Sequence, residues 1–117
     1  MSKTVGKKST IKRGDVFWVN FDPTQGTETK KTRPAVILSN NLFNLYLPRL
    51  IVAPITSNIE KLFEFDAVVL VAEKKGKAML DQIRTIDKKR LGKKICTLTV
   101  KELNDVERAL KCTLALI

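Results

Sequence analysis

The sequence contains no histidine, the side chain most often used as a general acid or base near neutral pH and as a transition-metal ligand. It also contains no HExxH motif, no CxxC pair and no glycine-rich phosphate loop. These absences exclude imidazole-based catalysis and leave a metallohydrolase or a nucleoside triphosphatase without sequence support. We therefore expect neither a metal site nor another cofactor.

Cysteine is scarce, and long apolar runs are missing. Cys96 and Cys112 are too few for a disulfide framework and too far apart for a metal knuckle, so both are predicted to be small buried hydrophobic residues. No stretch approaches the ~20 consecutive apolar residues of a membrane span, and no apolar segment follows the N-terminal lysines as in a secretion signal. We expect a cytoplasmic protein with no membrane partner.

Acidic residues are outnumbered, and the imbalance is local. The 117 residues include 22 Lys and Arg against 12 Asp and Glu, a formal net charge of +10. Residues 1–13 hold five bases and no acid, and residues 74–94 hold nine bases and two acids. A localised positive surface favours a nucleic-acid partner, although lysine runs are also common on solvated faces. The length fits a flexible basic arm at 1–13 and a single domain at 14–117.

Alternation of apolar residues predicts a mainly β protein. The strand predicted over 15–21 places Phe17 and Val19 on one face and Val16 and Trp18 on the other. For Trp18, this position in an alternating strand favours packing in the core over stacking on a base.

The other elements follow from the same criteria. Strands are predicted over 35–38, 50–55 and 65–71, and a further strand begins at 78, is interrupted at 81–82 and resumes at 83. Connections are predicted as a long loop at 22–33, a turn or single helical turn at 40–48, a basic turn at 74–77 and a charged turn at 87–94. Thr99 and Glu102 form a capping box that begins a helix with apolar residues at helical spacing. The predicted architecture is a small curled β-sheet with one amphipathic helix packed against it.

Three polar interruptions of the apolar runs hold the candidate functional residues. Arg33 precedes Pro34, which cannot donate a ladder hydrogen bond, so Arg33 is predicted at the rim or edge of the sheet. Thr56 follows the strand at 50–55, and Asp81 interrupts the strand that begins at 78. Because strand ends on a rigid scaffold carry much of protein chemistry, we expect one shared site.

Arg33 and Thr56 suggest phosphate chemistry, and each also has a structural interpretation. The guanidinium of Arg33 is permanently charged and matches a phosphate, so it can stabilise charge that develops on a phosphorane. Its structural alternative is an ion pair with Glu28. Thr56 can donate a hydrogen bond to a phosphate oxygen, or it can form the turn that ends its strand.

Asp81 is the candidate carboxylate. Its apolar neighbours Leu80 and Ile83 predict partial burial, an environment suited to proton transfer. The alternative is an ion pair with Arg84 or Arg90.

Four segments of the chain resemble the MazF/PemK (Kid-like) toxins of bacterial type II toxin-antitoxin modules. In chain order, the segments are GDVFWVNFDPTQGTE, KKTRPAVILSNN, VAPITS and DQIRTIDKKRL. The resemblance extends over 13–117. It implies an SH3-like β-barrel of the PemK/CcdB type with a C-terminal helix, and a homodimer that binds RNA across the subunit interface. It further implies metal-independent cleavage of single-stranded mRNA at short sequences and a cognate acidic antitoxin.

The resemblance also assigns roles to residues. Arg33 and Thr56 match catalytic residues of the best-matched branch, and Asp81 matches a position that acts in catalysis or RNA positioning. Another branch has an arginine where this chain has Met79, so the catalytic set of that branch does not apply. The residues expected to bind RNA, from the resemblance and from the placement of charge, are Thr27, Glu28, Lys30, Lys31, Ser57, Gln82 and Arg84.

The absence of histidine and of a metal cluster bears on the nucleophile. We expect it to come with the RNA, as a 2′-hydroxyl that attacks its own phosphate and leaves 2′,3′-cyclic phosphate and 5′-hydroxyl ends. One rival is a CcdB-like gyrase poison, whose activity depends on a C-terminal tryptophan, whereas this chain ends in LALI. The other rival, a non-catalytic RNA-binding barrel, explains the charge but not the combination of Arg33 with Thr56.

Overall fold

The computed structural model describes residues 11–21 and 32–116, and these ranges contain seven strands and two α-helices. The strands are β1 (Asp15–Asn20), β2 (Thr32–Ile37), β3 (Arg49–Thr56), β4 (Asp66–Val71), β5 (Lys74–Met79), β6 (Arg84–Asp87) and β7 (Leu91–Thr97). The helices are α1 (Asn41–Tyr46) and α2 (Val100–Leu114), and 3₁₀ turns lie at Leu80–Gln82 and Lys88–Arg90. The mainly β class with a C-terminal helix is confirmed.

The sheet is antiparallel throughout the described strands, in the order β4-β5-β3-β2-β1-β7, with β6 beside the first half of β3. Val52 pairs with Arg84, and Ile55 pairs with Ala78. Two β3 residues between these pairs therefore face the five residues 79–83, and the excess loops out as the 3₁₀ turn. One of the two is Pro54, which has no N–H to donate. The predicted interruption at 81–82 is confirmed as this turn.

The curled sheet has a core on each face. Val16, Val36 and Ile55 belong to the core that α2 covers with Val106 and Ala109. Residues of the other core come from β1, β2, β3 and β6, and they are Phe17, Val19, Ala35, Ile37, Leu50, Val52 and Ile86. The alternation predicted for β1 is confirmed for Val16, which lies in the first core, and for Phe17 and Val19, which lie in the second.

The predicted capping box is confirmed and does more than start α2. The Thr99 hydroxyl accepts from the Glu102 N–H at 3.1 Å, and Glu102 Oε1 accepts from the Thr99 N–H at 2.8 Å. Glu102 Oε2 also accepts from the N–H of Leu70 on the edge strand β4 at 2.8 Å. Burial acts to raise the pKa of Glu102, but the hydrogen bonds from Thr99 and Leu70 outweigh it and hold the pKa below its usual value.

The basic turn predicted at 74–77 is wrong, because these residues belong to β5. The turn lies at Ala72 and Glu73, which have φ of 52° and 70° and join a hairpin closed by the pair Val71 and Lys74. Gly76, the residue that suggested the turn, instead permits a close approach: a Cβ there would lie 3.0 Å from Ile55 Cγ2 and from the Thr56 carbonyl oxygen.

The charged turn predicted at 87–94 is also wrong in its second half. A 3₁₀ turn occupies Lys88–Arg90, and β7 then pairs with β1. The basic residues of this strand led to the prediction of a solvated turn. Lys94 instead lies within β7, and its Nζ is 3.3 Å from Asp15 Oδ1. Of the predicted arm, residues 1–10 lie outside the described ranges, while Arg13 forms an ion pair with Glu107 of α2 at 2.7 Å.

The two cysteines differ in environment. Cys96 is half-buried in β7 and packs against the helix-side core, close to the prediction. Cys112 is exposed on α2, so its predicted burial is wrong; it lies outside the apolar stripe of the helix. Neither described α-helix is long and apolar enough to cross a membrane.

Candidate nucleic-acid and catalytic site

An open cavity of about 370 Å³ lies where the ends of β1, β2 and β3 meet the turn between β5 and β6. Its walls are formed by Phe21, Arg33, Pro54, Thr56, Met79, Gln82 and Arg84. Four of these, Arg33, Thr56, Gln82 and Arg84, are residues that the sequence singled out, and the structure brings them together. Among the residues that the structure describes, the lining contains two guanidinium groups and no carboxylate, which makes the cavity suited to an anion.

Arg33 is the second residue of β2, and its backbone pairs with Val19 of β1. The β2–β3 register pairs Ala35 with Pro54, so two further steps along both strands place Arg33 opposite Thr56. Its position at the start of the strand, on the rim of the sheet, confirms the prediction. The alternative partner, Glu28, lies outside the described residues.

Thr56 is the last residue of β3, and its Oγ1 accepts from the N–H of Asn58 at 3.2 Å. This is the turn-forming role that the sequence offered as the alternative. It is compatible with a chemical role, because a hydroxyl that accepts one hydrogen bond retains its own proton for donation. The side chain lines the cavity and is partly exposed.

Gln82 is the last residue of the 3₁₀ turn that leaves the sheet opposite Pro54, and Arg84 is the first residue of β6. Gln82 Nε2 lies 3.5 Å from Met79 Sδ, a weak acceptor, so the amide can exchange this contact for a better one. The Arg84 guanidinium lies 5.2 Å from the centroid of the Phe21 ring, a cation–π geometry that holds it at the cavity wall. Phe21 and Met79 were not predicted as site residues; the only signal was the position of Phe21 at the end of the alternating β1 pattern.

Asp81 is exposed, so the prediction of partial burial is wrong. The 3₁₀ turn buries Leu80 and projects the next residue away from the sheet. Asp81 is not among the side chains that line the cavity. Of its proposed ion-pair partners, Arg84 stacks on Phe21 and Arg90 Nη1 donates to the Asn20 carbonyl at 3.0 Å.

A second cavity, of about 420 Å³, shares Arg33 and Thr56 with the first and contains the predicted residue Ser57. Trp18 forms part of its wall and is 42% exposed, so the prediction that Trp18 packs in the core is wrong. Trp18 lies on the same face of β1 as Val16, which α2 covers. No α2 residue lines the cavity beside Trp18. Gly92 of the neighbouring strand β7 lies close to Trp18, because a Cβ at Gly92 would lie 3.3 Å from Trp18 Cβ.

The remaining predicted RNA-binding residues divide into two groups. Those in the loop between β1 and β2 lie outside the described residues, and they are Thr27, Glu28, Lys30 and Lys31. In the basic segment 74–94, Lys77 forms an ion pair with Asp66 at 3.2 Å, and Lys94 pairs with Asp15. Across the ranges 11–21 and 32–116, no cluster of three His, Cys, Asp or Glu side chains is placed to hold a metal ion.

Residues 12–114 match the family model described as PemK-like, MazF-like toxin of type II toxin-antitoxin system. Among curated proteins, endoribonuclease EndoA of Bacillus subtilis (strain 168) is 39% identical over 112 residues, which cover 92% of this chain and 97% of EndoA.

Solved structures give the same fold. A MazE-MazF complex (Form-III) from Deinococcus radiodurans matches with a TM-score of 0.74 and 26% identity, over 89% of this chain and 95% of that chain. An endoribonuclease in complex with its cognate antitoxin from a Mycobacterial species matches with a TM-score of 0.76 over 91% of this chain and 96% of that chain, at 23% identity. This chain, whose Arg33 and Thr56 line one cavity at the rim of a curled antiparallel sheet, belongs to the family of PemK-like, MazF-like toxins of type II toxin-antitoxin systems.

Proposed function

We propose that this chain is an endoribonuclease that cleaves single-stranded mRNA as the toxin of a type II toxin-antitoxin module. The observation that carries the proposal is the cavity shared by Arg33, Thr56, Gln82 and Arg84, whose described lining offers two permanent positive charges, a hydroxyl and an amide. A phosphodiester is the anion that these groups suit. The 39% identity to a protein named endoribonuclease supports the same activity.

The proposed reaction needs no external nucleophile. The 2′-hydroxyl oxygen attacks its adjacent phosphorus and loses its proton, the bond from phosphorus to the 5′-oxygen breaks, and that oxygen takes up a proton. The products are a 2′,3′-cyclic phosphate and a 5′-hydroxyl, and no water is consumed. Arg33 stabilises the charge that grows on the phosphorane oxygens, and the Thr56 hydroxyl donates to one of them.

Base recognition falls to the wall opposite these two residues. Gln82 presents an amide with both donors and an acceptor, the combination that reads the edge of an unpaired base. Arg84 contributes a second contact to the RNA backbone. Asp81 receives an RNA-positioning role and no proton-transfer step, because it is exposed on the turn and does not line the cavity.

We propose two protein partners, which are a second copy of the chain and an acidic antitoxin. The RNA is proposed to contact four further residues of the loop between β1 and β2, namely Thr27, Glu28, Lys30 and Lys31. Exposed large apolar side chains support a protein partner; those on β4 and the segment before it are Leu62, Phe63, Phe65, Val68 and Leu70. The MazE-MazF structures show that relatives form toxin-antitoxin complexes. An mRNA substrate places the proposed activity in the cytoplasm.

The test is to incubate the purified protein with long single-stranded RNA in excess EDTA, map the cut positions and identify the new ends. We expect cyclic phosphate and 5′-hydroxyl ends, and we expect an RNA with a 2′-deoxy sugar at the scissile nucleotide to bind and remain intact. Arg33→Ala protein prepared identically controls for contaminating ribonuclease. Cleavage of the deoxy substrate, or loss of activity on chelation in folded protein, contradicts the mechanism. Inhibition of DNA gyrase without RNA cleavage contradicts the function itself.

A further inference from the structure

Trp18 is large, aromatic and open to solvent, although it lies within a strand of the sheet. It is 42% exposed, whereas its neighbours Phe17 and Val19 in β1 are buried. Its side chain forms part of the wall of the second cavity, with the apolar residues Pro34, Ile55 and Ile95. Gly92 of the neighbouring strand β7 leaves room beside Trp18, because a Cβ at Gly92 would lie 3.3 Å from Trp18 Cβ. An exposed indole face on a strand is the geometry on which an unpaired base stacks.

The described residues give this cavity charge of one sign. Lys74 and Lys75, at the start of β5, are exposed and belong to its lining, and no carboxylate is among the described residues of that lining. These two lysines stand apart from Lys77 of the same strand, which is half-buried and paired with Asp66. A ligand that combines a flat apolar group with negative charge therefore complements the cavity better than an apolar peptide or a neutral metabolite.

The second cavity adjoins the proposed cleavage site, because Arg33 and Thr56 line both cavities. A strand of RNA whose scissile phosphate lies at these two residues can therefore extend into the second cavity. Lys74 and Lys75 line that cavity and offer positive charge to a neighbouring phosphate.

We propose that the Trp18 cavity is an RNA subsite next to the scissile phosphate, in which one unpaired base stacks on Trp18 and the neighbouring phosphate binds Lys74 and Lys75. The proposal rests on the proposed function and adds to it a second base-binding position, separate from Gln82. It makes Trp18 a positioning residue, since it holds a nucleotide beside the one that reacts. An acidic peptide that carries an aromatic residue is the competing occupant, and the test includes it.

Trp18 is the only tryptophan in the chain, so emission excited at a wavelength that Tyr46 does not absorb reports this cavity alone. The probe is a single-stranded RNA heptamer with a 2′-deoxy sugar at the mapped scissile nucleotide; if no cleavage is found, a heptamer selected for binding from a random pool replaces it. We expect the heptamer to quench the emission. Heptamers with one abasic nucleotide should bind without quenching when the missing base is the one that stacks. Equal quenching by every abasic heptamer, or by inorganic polyphosphate, overturns the proposal.

Affinity of the labelled heptamer, measured by fluorescence anisotropy, gives the second readout. Trp18→Leu should raise the Kd by about 5- to 100-fold, the scale of one base stack, and Trp18→Phe should restore most of the affinity. The effect of Trp18→Leu should disappear with the one abasic heptamer that fails to quench, which a general loss of folding would not produce. Lys74→Gln with Lys75→Gln should reduce the slope of log Kd against log salt by roughly 0.7 for each lost contact. Lys101→Gln, on α2 and outside this cavity lining, is the matched control.

The outcomes separate the subsite from the function. RNA cleavage with no coupling between Trp18 and any base overturns the subsite and leaves the function standing. Coupling without cleavage sustains the subsite and contradicts the function. Quenching by an acidic aromatic peptide, with no quenching by the heptamer, assigns the cavity to a protein segment and overturns the RNA proposal.

Discussion

The two sides of the sheet use charge in opposite ways. On the side of α2, cations have acid partners: Arg13 pairs with Glu107 at 2.7 Å, and Arg108 pairs with Asp105 at 2.7 Å. Arg33 and Arg84 both line the first cavity, and no carboxylate is among the lining residues in the part of the chain that the structure describes. The difference indicates that the charged residues on the helix side stabilise the fold. The arginines at the cavity are instead available to bind an anion, at some cost to the stability of the folded protein.

This contrast predicts that substitutions separate by side. Changes at the cavity should reduce turnover while the free energy of unfolding stays constant or rises. Changes at the contacts between α2 and the sheet, such as the bond from Leu70 to Glu102, should reduce the free energy of unfolding and its pH dependence. Turnover per folded molecule should stay constant.

The largest effect is expected at Arg33. Arg33→Ala should reduce the cleavage rate by roughly 10²-fold or more, the scale of one preorganised donor aimed at developing charge. Arg33→Lys should not fully restore the rate, because an ammonium cannot reproduce the bidentate guanidinium. Single-turnover kinetics on a mapped substrate give the rate, and urea unfolding gives the stability. Near-normal cleavage by a folded Arg33→Ala protein would remove Arg33 from the mechanism and erase the contrast between the two sides.

A smaller effect is expected at Gly76, which lets β5 approach the end of β3. A Cβ at Gly76 meets the Thr56 carbonyl oxygen at 3.0 Å, so Gly76→Ala should displace Thr56 by a few tenths of an ångström. We expect about a 10-fold lower cleavage rate from this misplacement, with KM little changed. Gly92→Ala is the matched control, because its Cβ meets Trp18 rather than Thr56. It should alter binding of the heptamer more than the rate of the chemical step; equal effects of the two substitutions on that rate would contradict the assignment.

On the helix side, Glu102 should matter for stability. Glu102→Gln weakens the capping box and the bond to Leu70, and we expect a loss of about 1 kcal/mol near neutral pH, with turnover per folded molecule unchanged. The pKa of Glu102 is lowered in the folded protein, so its contribution is present above its unfolded value near 4.5 and is lost as pH falls through the folded pKa. Wild-type protein should therefore lose stability on acidification more steeply than the variant.

Urea unfolding at a series of pH values from neutral to acid measures this difference. Glu60→Gln is the control, since the Glu60 side chain is exposed and Glu60 lies in the segment between β3 and β4, away from the capping box of α2. Parallel pH profiles for wild type and Glu102→Gln would show that the carboxylate is not the source of the stabilisation.

The smallest effect is expected at Asp81. Because its side chain is exposed and outside the cavity lining, Asp81→Asn should change the cleavage rate by less than about 5-fold, below the range of a general base. The pH–rate profile should keep its shape. A loss of 10²-fold or more, together with loss of the acid limb of that profile, would return Asp81 to proton transfer and place part of the chemistry outside the cavity.

Sequence reasoning succeeded where one local signal decides the outcome. The capping box at Thr99 fixed the start of α2, and the alternation around Val16 and Phe17 fixed β1 and its two faces. Pro34 placed Arg33 at the beginning of a strand on the rim of the sheet. Each of these depends on residues within one turn or one strand, so neighbouring chemistry is sufficient.

The two errors in the placement of turns share one cause, which is that a partner distant in sequence overrode the local signal. Gly76 resembled a turn residue but serves the close approach of Thr56, and the hairpin turns instead at Ala72 and Glu73. The basic residues near Lys94 resembled a solvated turn but form a strand, because β1 provides the pairing and Asp15 provides a counter-charge.

The sequence by itself determined the class, the start of the C-terminal helix and the residue types available for chemistry: arginine, threonine and amide side chains without histidine. Tertiary structure alone decided which of them meet. The β2–β3 register sets Arg33 opposite Thr56, and the residues looped out beside Pro54 bring Gln82 and Arg84 to the same cavity while turning Asp81 outward. The physical reason is that side-chain types and local propensities are written residue by residue, whereas a cavity is formed by strand register, which depends on pairings between segments far apart in the chain.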